Sequence, residues 1–392
     1  MLRDAGPDFS DSWRQCAFLT LIQVLGQMAF VGYRLDLTLK GVHLQWSPWT
    51  LGLLVSASSL VPALTAFYMG RLVDRVGYKL PTMLGHAATL LGCAVAGLTD
   101  RVWLLALSSM VAGGGAALSY VSLNLTVGVA AGPANRTRAY SLLTLGMSLA
   151  TVIGPAMTGW GVDTVGSAVT FLLLIVPLVI AAAGVALLPI PPADIHVAVD
   201  GAARARGGGL LRNAAVRRVL LCSAMATTAF DLFTFLVPLH GTYNRLSATA
   251  VGLVVGGFGA GAFTARLGLP WLARRVSEWR MLQAVLLCTA AGFIAMPFCR
   301  TVGTLMPVAF LIGLVLGCGQ PLLMTLTLAS APPGRGGETV GLRTSLTSGL
   351  QSVSPLLIGA LGSAFGLGPI FWGMAAVLIG GGARVVRNER QA

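Results

Sequence analysis

The stretch Gly70–Lys79, GRLVDRVGYK, gathers Arg71, Asp74, Arg75 and Lys79 around two glycines, in a chain of which only 10% is charged. Long apolar runs flank it on both sides. Two antiparallel apolar segments joined over about ten residues need a tight reversal, which glycine permits at positive φ. The stretch therefore reads as a charged hinge between two long helices.

The same pattern repeats along all 392 residues, 55% of them hydrophobic. A soluble globular chain carries roughly 25% charged residues, so a surface this poor in charge is matched to lipid. The apolar runs are about 18–25 residues long, the length that crosses a hydrocarbon core of roughly 30 Å. The composition predicts an all-α membrane protein whose solvent is the lipid bilayer. The net charge of +13 does not point to nucleic acid, because the basic residues recur in short clusters between apolar runs rather than in one patch. Cys16, Cys93, Cys222, Cys288, Cys299 and Cys318 form no CxxC pair and read as small apolar packing residues. The first apolar run follows three Asp and is long enough to be a span rather than a cleavable signal.

Apolar runs between polar breaks give twelve spans: 15–35, 47–69, 80–99, 102–128, 139–161, 167–189, 216–238, 249–266, 281–299, 303–329, 340–363 and 367–386. The one long connection holds Pro191, Pro192, Gly207, Gly208 and Gly209 and reads as a solvated linker. The expected organisation is an N-terminal six-helix bundle over 1–190, a cytoplasmic linker over 191–215 and a C-terminal six-helix bundle over 216–392. With the N-terminus placed in the cytoplasm, twenty-one of the 26 Lys and Arg residues fall on the cytoplasmic side. Lys40, Arg101, Arg245 and Arg300 lie opposite, and Arg34 is inside the first span. The positive-inside rule then puts both termini in the cytoplasm.

Sliding the sequence by 200 residues aligns the halves without a gap. Pro155 falls on Pro355, Gly159 on Gly359, Gly52 on Gly252 and Arg75 on Arg275. Six spans is an even number, so the halves point the same way. Parallel repeats of this kind are a transporter plan with the solute site between them at mid-bilayer.

Gly70, Asp74, Arg75, Gly77 and Lys79 resemble the loop signature of the major facilitator superfamily. Gly146, Gly154, Pro155 and Gly159 in the fifth span are similar to the Gly-Pro motif of its proton-coupled exporters. The resemblance covers the whole chain. It implies the major facilitator fold, twelve transmembrane helices as two parallel-repeat six-helix bundles, and transport by alternating access, with no cofactor. Where the exporter motif of the fourth span places an arginine this chain has Ser109, which puts arginine-assisted proton release in doubt and leaves Arg34 as a substitute.

Asp74 aligns with Arg274 and Arg138 with Glu338, so the signs reverse together. The expectation is a gate in which Asp74 pairs with Arg138 in one half and Arg274 with Glu338 in the other. Arg71, Arg75 and Lys79 can equally serve topology alone. Charges inside spans are costly and usually functional. Arg34, Asp36 and Asp231 are expected to couple transport to protons, Arg34 and Asp231 as a pair across the cavity and Asp36 as a second carboxylate. Arg34 and Asp36 can instead lie at the membrane surface, and Asp231 in a fixed buried pair. His86 reads as a packed histidine. Gln23, Gln27, Tyr120, Asn124 and Gln320 are candidates to line the solute cavity, or to serve as interhelical glue.

The four histidines show no metal-ligand spacing and no Walker A loop is present, so neither an enzyme nor an ATP-driven pump is expected. The leading expectation is a monomeric secondary transporter in a bacterial inner membrane, exporting a small organic molecule in exchange for protons. The solute would be a toxic amphiphile or an endogenous product such as a siderophore. An uptake permease for a small metabolite is the alternative, and a non-transporting receptor or scaffold the reading from another class.

Overall fold

The computed structural model describes residues 9–187, 210–272, 275–332 and 335–389, where every regular element is helical. The helices are α1 (Phe9–His43), α2 (Pro48–Val76), α3 (Lys79–Leu98), α4 (Val102–Ala130), α5 (Gly132–Val165), α6 (Ser167–Leu173), α7 (Ile175–Leu187), α8 (Ala214–Tyr243), α9 (Ala248–Leu272), α10 (Glu278–Ala295), α11 (Val302–Ser330), α12 (Gly336–Phe365) and α13 (Leu367–Glu389). Together α6 and α7 make one span. Pro177 has no N–H to offer the Leu173 carbonyl, and α6 ends at Leu173. Among the described residues ten helical spans are long and apolar enough to cross a membrane. In α12 the apolar pattern is diluted by Arg343 and Ser354, which are buried. Most of the linker lies outside the described residues.

In lipid every backbone group must be satisfied within the protein, which favours uninterrupted helices. Apolar side chains gain little by leaving lipid, so close approach of small residues and interhelical hydrogen bonds set the packing. Large side chains such as Leu64, Leu98, Trp103 and Phe298 accordingly remain on the outside.

Both described chain ends lie at one end of the bundle, here the near end, and the 44–47 and 244–247 turns lie at the far end. The 200-residue repeat is visible in the backbone. Gln45 and Arg245 both take a left-handed φ, 57° and 60°. Each closes the same helix-ending motif, with Trp46 N bonded to Gly41 O at 2.9 Å and Leu246 N to Gly241 O at 3.0 Å. Gly166 and Gly366, also repeat partners, end α5 and α12 at φ 82° and 79°. In the hinge, Gly77 takes φ 76° and its N–H caps Val73 O at 2.9 Å. Gly70 instead lies within α2, where an added methyl would meet nothing. Lys79 Nζ donates to Ala186 O at 2.8 Å, placing a cation at the C-terminal end of α7, where the helix dipole favours it.

The two bundles touch along α2–α12 and α5–α9, with α1 and α8 between them. An added methyl at Gly52 would overlap Pro355 O, and one at Gly252 would overlap Pro155 O. Gly159 and Gly359 make the matching approaches to Ala248 O and Pro48 O.

Candidate functional site

A cavity of about 110 Å³ lies where α1 and α2 face α8 and α9. Its wall includes Gln27, Phe30 and Arg34 from α1, Thr151 from α5, and Phe230 and Phe258 from α8 and α9. Arg34 is the one charged side chain among its described lining residues. The charges of Arg34 and Asp231 act on each other across the two bundles. Asp231 is 2% exposed, and its Oδ2 accepts from Ser354 Oγ at 2.9 Å. A guanidinium and a carboxylate from opposite bundles thus lie within each other's field, with a hydroxyl on α12 as the carboxylate's hydrogen-bond donor.

Asp36 does not join them. Two residues along a helix turn it about 200° from Arg34, into the α1/α3/α6 corner. There its Oδ1 accepts from Ser167 Oγ at 2.5 Å while its Oδ2 has no partner. One helical turn away Lys40 pairs with Asp100 at 2.8 Å and caps the end of α3 through Ala96 O and Thr99 O at 2.8 and 2.7 Å. Ser109, in the place of the motif arginine, shares the Tyr33 hydroxyl with Ser108, at 3.0 and 2.5 Å. His86 is buried against Gly26 with neither ring nitrogen bonded.

Of the candidate cavity residues, Gln27 lines the cavity and Gln23, one turn away, is buried with Oε1 unpartnered. Tyr120 and Gln320 are exposed side chains of α4 and α11, whereas Asn124 turns its amide back to Tyr120 O at 2.7 Å. In the fifth-span motif, Gly146 and Gly154 admit α1, through Thr20, Val24 and Met28, and Gly159 admits α9. The Gly-Pro motif is therefore part of the far-end contact between bundles.

Each of the two expected gate pairs has a member outside the described residues. Arg274 lies outside the described residues, as does the side chain of Asp74; Arg138 is exposed. Glu338 is held by Arg335 in a two-pronged pair at 2.6 Å. The Arg335 hydrogen bonds keep the Glu338 carboxyl below its ordinary 4.5.

Four further residues escaped the sequence reading. Arg343 and Arg266 fall at or inside span ends, and there they resemble topology-setting charges. Arg343 is 8% exposed and donates Nε to Ser223 Oγ at 2.9 Å and Nη2 to Gln320 Oε1 at 3.0 Å. Arg266 crosses from α9 to Thr144 O and Ser148 Oγ on α5. Asp163 accepts from Ala248 N at 3.0 Å and Thr249 N at 2.7 Å, capping a helix of the other bundle. Its repeat partner Ser363 accepts from Trp49 N at 3.0 Å. The 163/363 equivalence was available from the repeat and would have found this pair. Ser354, the fourth, gave no signal as a partner of Asp231.

The family profile of the Major Facilitator Superfamily matches residues 16–354. The chain belongs to this superfamily. Among superfamily relatives, the multidrug efflux pump Tap of Mycobacterium tuberculosis and Mycobacterium bovis is 25% identical over 419 aligned residues, 96% of this chain and 94% of theirs. The solved structure of the nucleoside transporter NupG superposes with a TM-score of 0.81 at 10% identity, covering 95% of this chain and 99% of that one. A bacterial homologue of the human lysosomal transporter Spinster, inward-facing and unoccupied, superposes at 0.73 with 15% identity, covering 97% and 95%. At these identities the solved structures speak to the superfamily fold.

Proposed function

We propose that this superfamily member is a proton-coupled exporter of a small organic molecule. The observation that carries this reading is the central cavity, walled by both bundles and lined by Arg34, in whose field the buried Asp231 lies. Residues 1–190 and 216–392 rock as two bodies about it. The seams between Gly52 and Pro355 and between Gly252 and Pro155 break when the far end opens. The density of Lys and Arg at the near end makes that side cytoplasmic, in the inner membrane of a bacterium. Asp231 is the proton carrier: a carboxylate at the interface can be neutralised by a proton or engaged by Arg34, and exchange between these states ties proton movement to the rocking. The likeness to a multidrug efflux pump along nearly the whole chain supports export over uptake.

The test is accumulation of a panel of compounds in cells with and without the protein, with the proton gradient intact and collapsed. Export predicts lower accumulation only with the protein and the gradient both present. Accumulation raised by the protein would establish uptake. Asp231→Asn should abolish the gradient dependence while the protein still reaches the membrane; unchanged flux would remove Asp231 from the coupling role.

A further inference from the structure

The walls between the central cavity and the near end carry an unbalanced charge. Arg266 bonds Thr144 O and the Ser148 hydroxyl, and Ser148 O in turn accepts from the hydroxyl of Thr151, a cavity-lining residue, at 2.6 Å. Arg266 thus lies about one turn from the cavity along the α5 face. The exposed phenol of Tyr120 on α4 lies in its field. In the other bundle Arg343 reaches the exposed side chain of Gln320. It shares a stripe of α12 with Ser354, three turns away, so the α8–α12 seam holds Asp231 and, nearer the near end, this second guanidinium.

Neutral partners complete the hydrogen bonds of these guanidinia without offsetting their charge. Among the described residues no carboxylate pairs with Arg266 or Arg343. Asp231 is already shared between Arg34 and Ser354. A buried charge without a counter-charge is costly, and guanidinium is the side chain best matched to carboxylate or phosphate geometry. A cationic amphiphile would meet three guanidinia and one engaged carboxylate. An anion would supply the missing charge.

We propose that the transported solute is an organic anion with an aromatic or otherwise apolar body. The body rests against Phe30, Phe230 and Phe258, and the anionic group is drawn to the positive near-end walls on which Arg266 and Arg343 stand. Binding draws Arg266 away from the Thr144 carbonyl, so the same event that neutralises the walls loosens a contact between α5 and α9. This inference rests on the export reading and specifies its substrate class.

The test uses three compounds of one size and different charge: 1-naphthylacetate, its uncharged amide, and 1-naphthylethylammonium. Thermal stabilisation of the purified full-length protein by each gives its affinity, since a ligand selective for the folded state raises the unfolding temperature. The expected order places the carboxylate first by roughly tenfold, the worth of a hydrogen bond to a charged group. Arg266→Gln and Arg343→Gln should each narrow the gap between carboxylate and amide, and Arg343→Lys should keep part of it. Equal affinities, preference for the ammonium, or no binding by the carboxylate would overturn the proposal on the wild-type protein alone, whether or not a variant folds. Transport into energised inverted vesicles separates the two readings. Tightest binding by the carboxylate with transport of none of the three would defeat export and leave the anion site standing. Transport of the ammonium but not the carboxylate would overturn the anion proposal and leave export standing.

Discussion

Gly252 and Pro155 face each other across the two bundles so closely that a methyl group on the glycine would overlap the proline carbonyl oxygen. Their repeat partners Gly52 and Pro355 stand in the same relation. Overpacking at a site this tight costs about 1–3 kcal/mol, and separation of the bundles at the far end relieves it. Gly252→Val should therefore favour far-end opening. A cysteine introduced by Thr38→Cys, in the cavity wall, should be protected from an impermeant thiol reagent on the far side and become reactive when Gly252→Val is added. Continued protection would mean that this seam is not the closing contact.

Arg34 and Asp231 come from opposite bundles, and each lies in the other's field. Removing one member of such a pair leaves the other charge uncompensated. Arg34→Gln and Asp231→Asn should each lower the apparent unfolding temperature. The double variant should recover much of the loss, with a coupling of about 1–3 kcal/mol. Additive losses would show the two groups to be energetically independent. Ser354→Ala removes the hydrogen bond to Asp231 and should cost about 1.5–3 kcal/mol, the range for bonds to charged groups.

Arg335 and Glu338 form an ion pair on the near-end surface, their side chains 38% and 20% exposed. The pair holds the folded-state Glu338 carboxyl below its ordinary 4.5. A depressed carboxyl contributes stability that is present above the unfolded pKa and lost as pH falls through the lower folded one. The pair is therefore intact throughout the neutral range and is lost as pH falls below the ordinary 4.5. Glu338→Gln should leave the pH profile of transport between pH 5 and 8 unchanged. A shifted profile would place Glu338 in proton coupling.

What the sequence disclosed, and what it withheld, divides along a physical line. Span length and the 200-residue repeat are properties of the chain against lipid, and they gave the helices and the hinge at Gly77, whereas the Arg34–Asp231 pairing across the cavity rested on the family resemblance. The spans left the direction of each side chain open. Arg34 and Asp36 are two residues apart and look equivalent in sequence, yet helical geometry sends one to the cavity and the other to Ser167. Arg343 and Arg266 were hidden by their position, since an arginine near a span end serves topology whether it faces water or bends inward. Arg335, three residues before Glu338 on the same helix, pairs with it at 2.6 Å, a local contact that alignment of the two halves does not bring out.

Asp163 closes the far end by another means. It caps the first turn of α9 with both carboxylate oxygens, at 3.0 and 2.7 Å, although it belongs to α5 of the other bundle. A negative charge at a helix N-terminus gains from the dipole as well as from the hydrogen bonds, and loss of such a cap costs about 1 kcal/mol. Ser363 makes the equivalent contact to Trp49 N with an uncharged hydroxyl at 3.0 Å. The two seams should therefore differ in strength despite their shared geometry. Asp163→Ala should raise reactivity of the Thr38→Cys thiol from the far side more than Ser363→Ala does, and Asp163→Asn should fall between, keeping an acceptor without the charge. Equal effects of the two alanine variants would mean that the charge at Asp163 contributes nothing to closure.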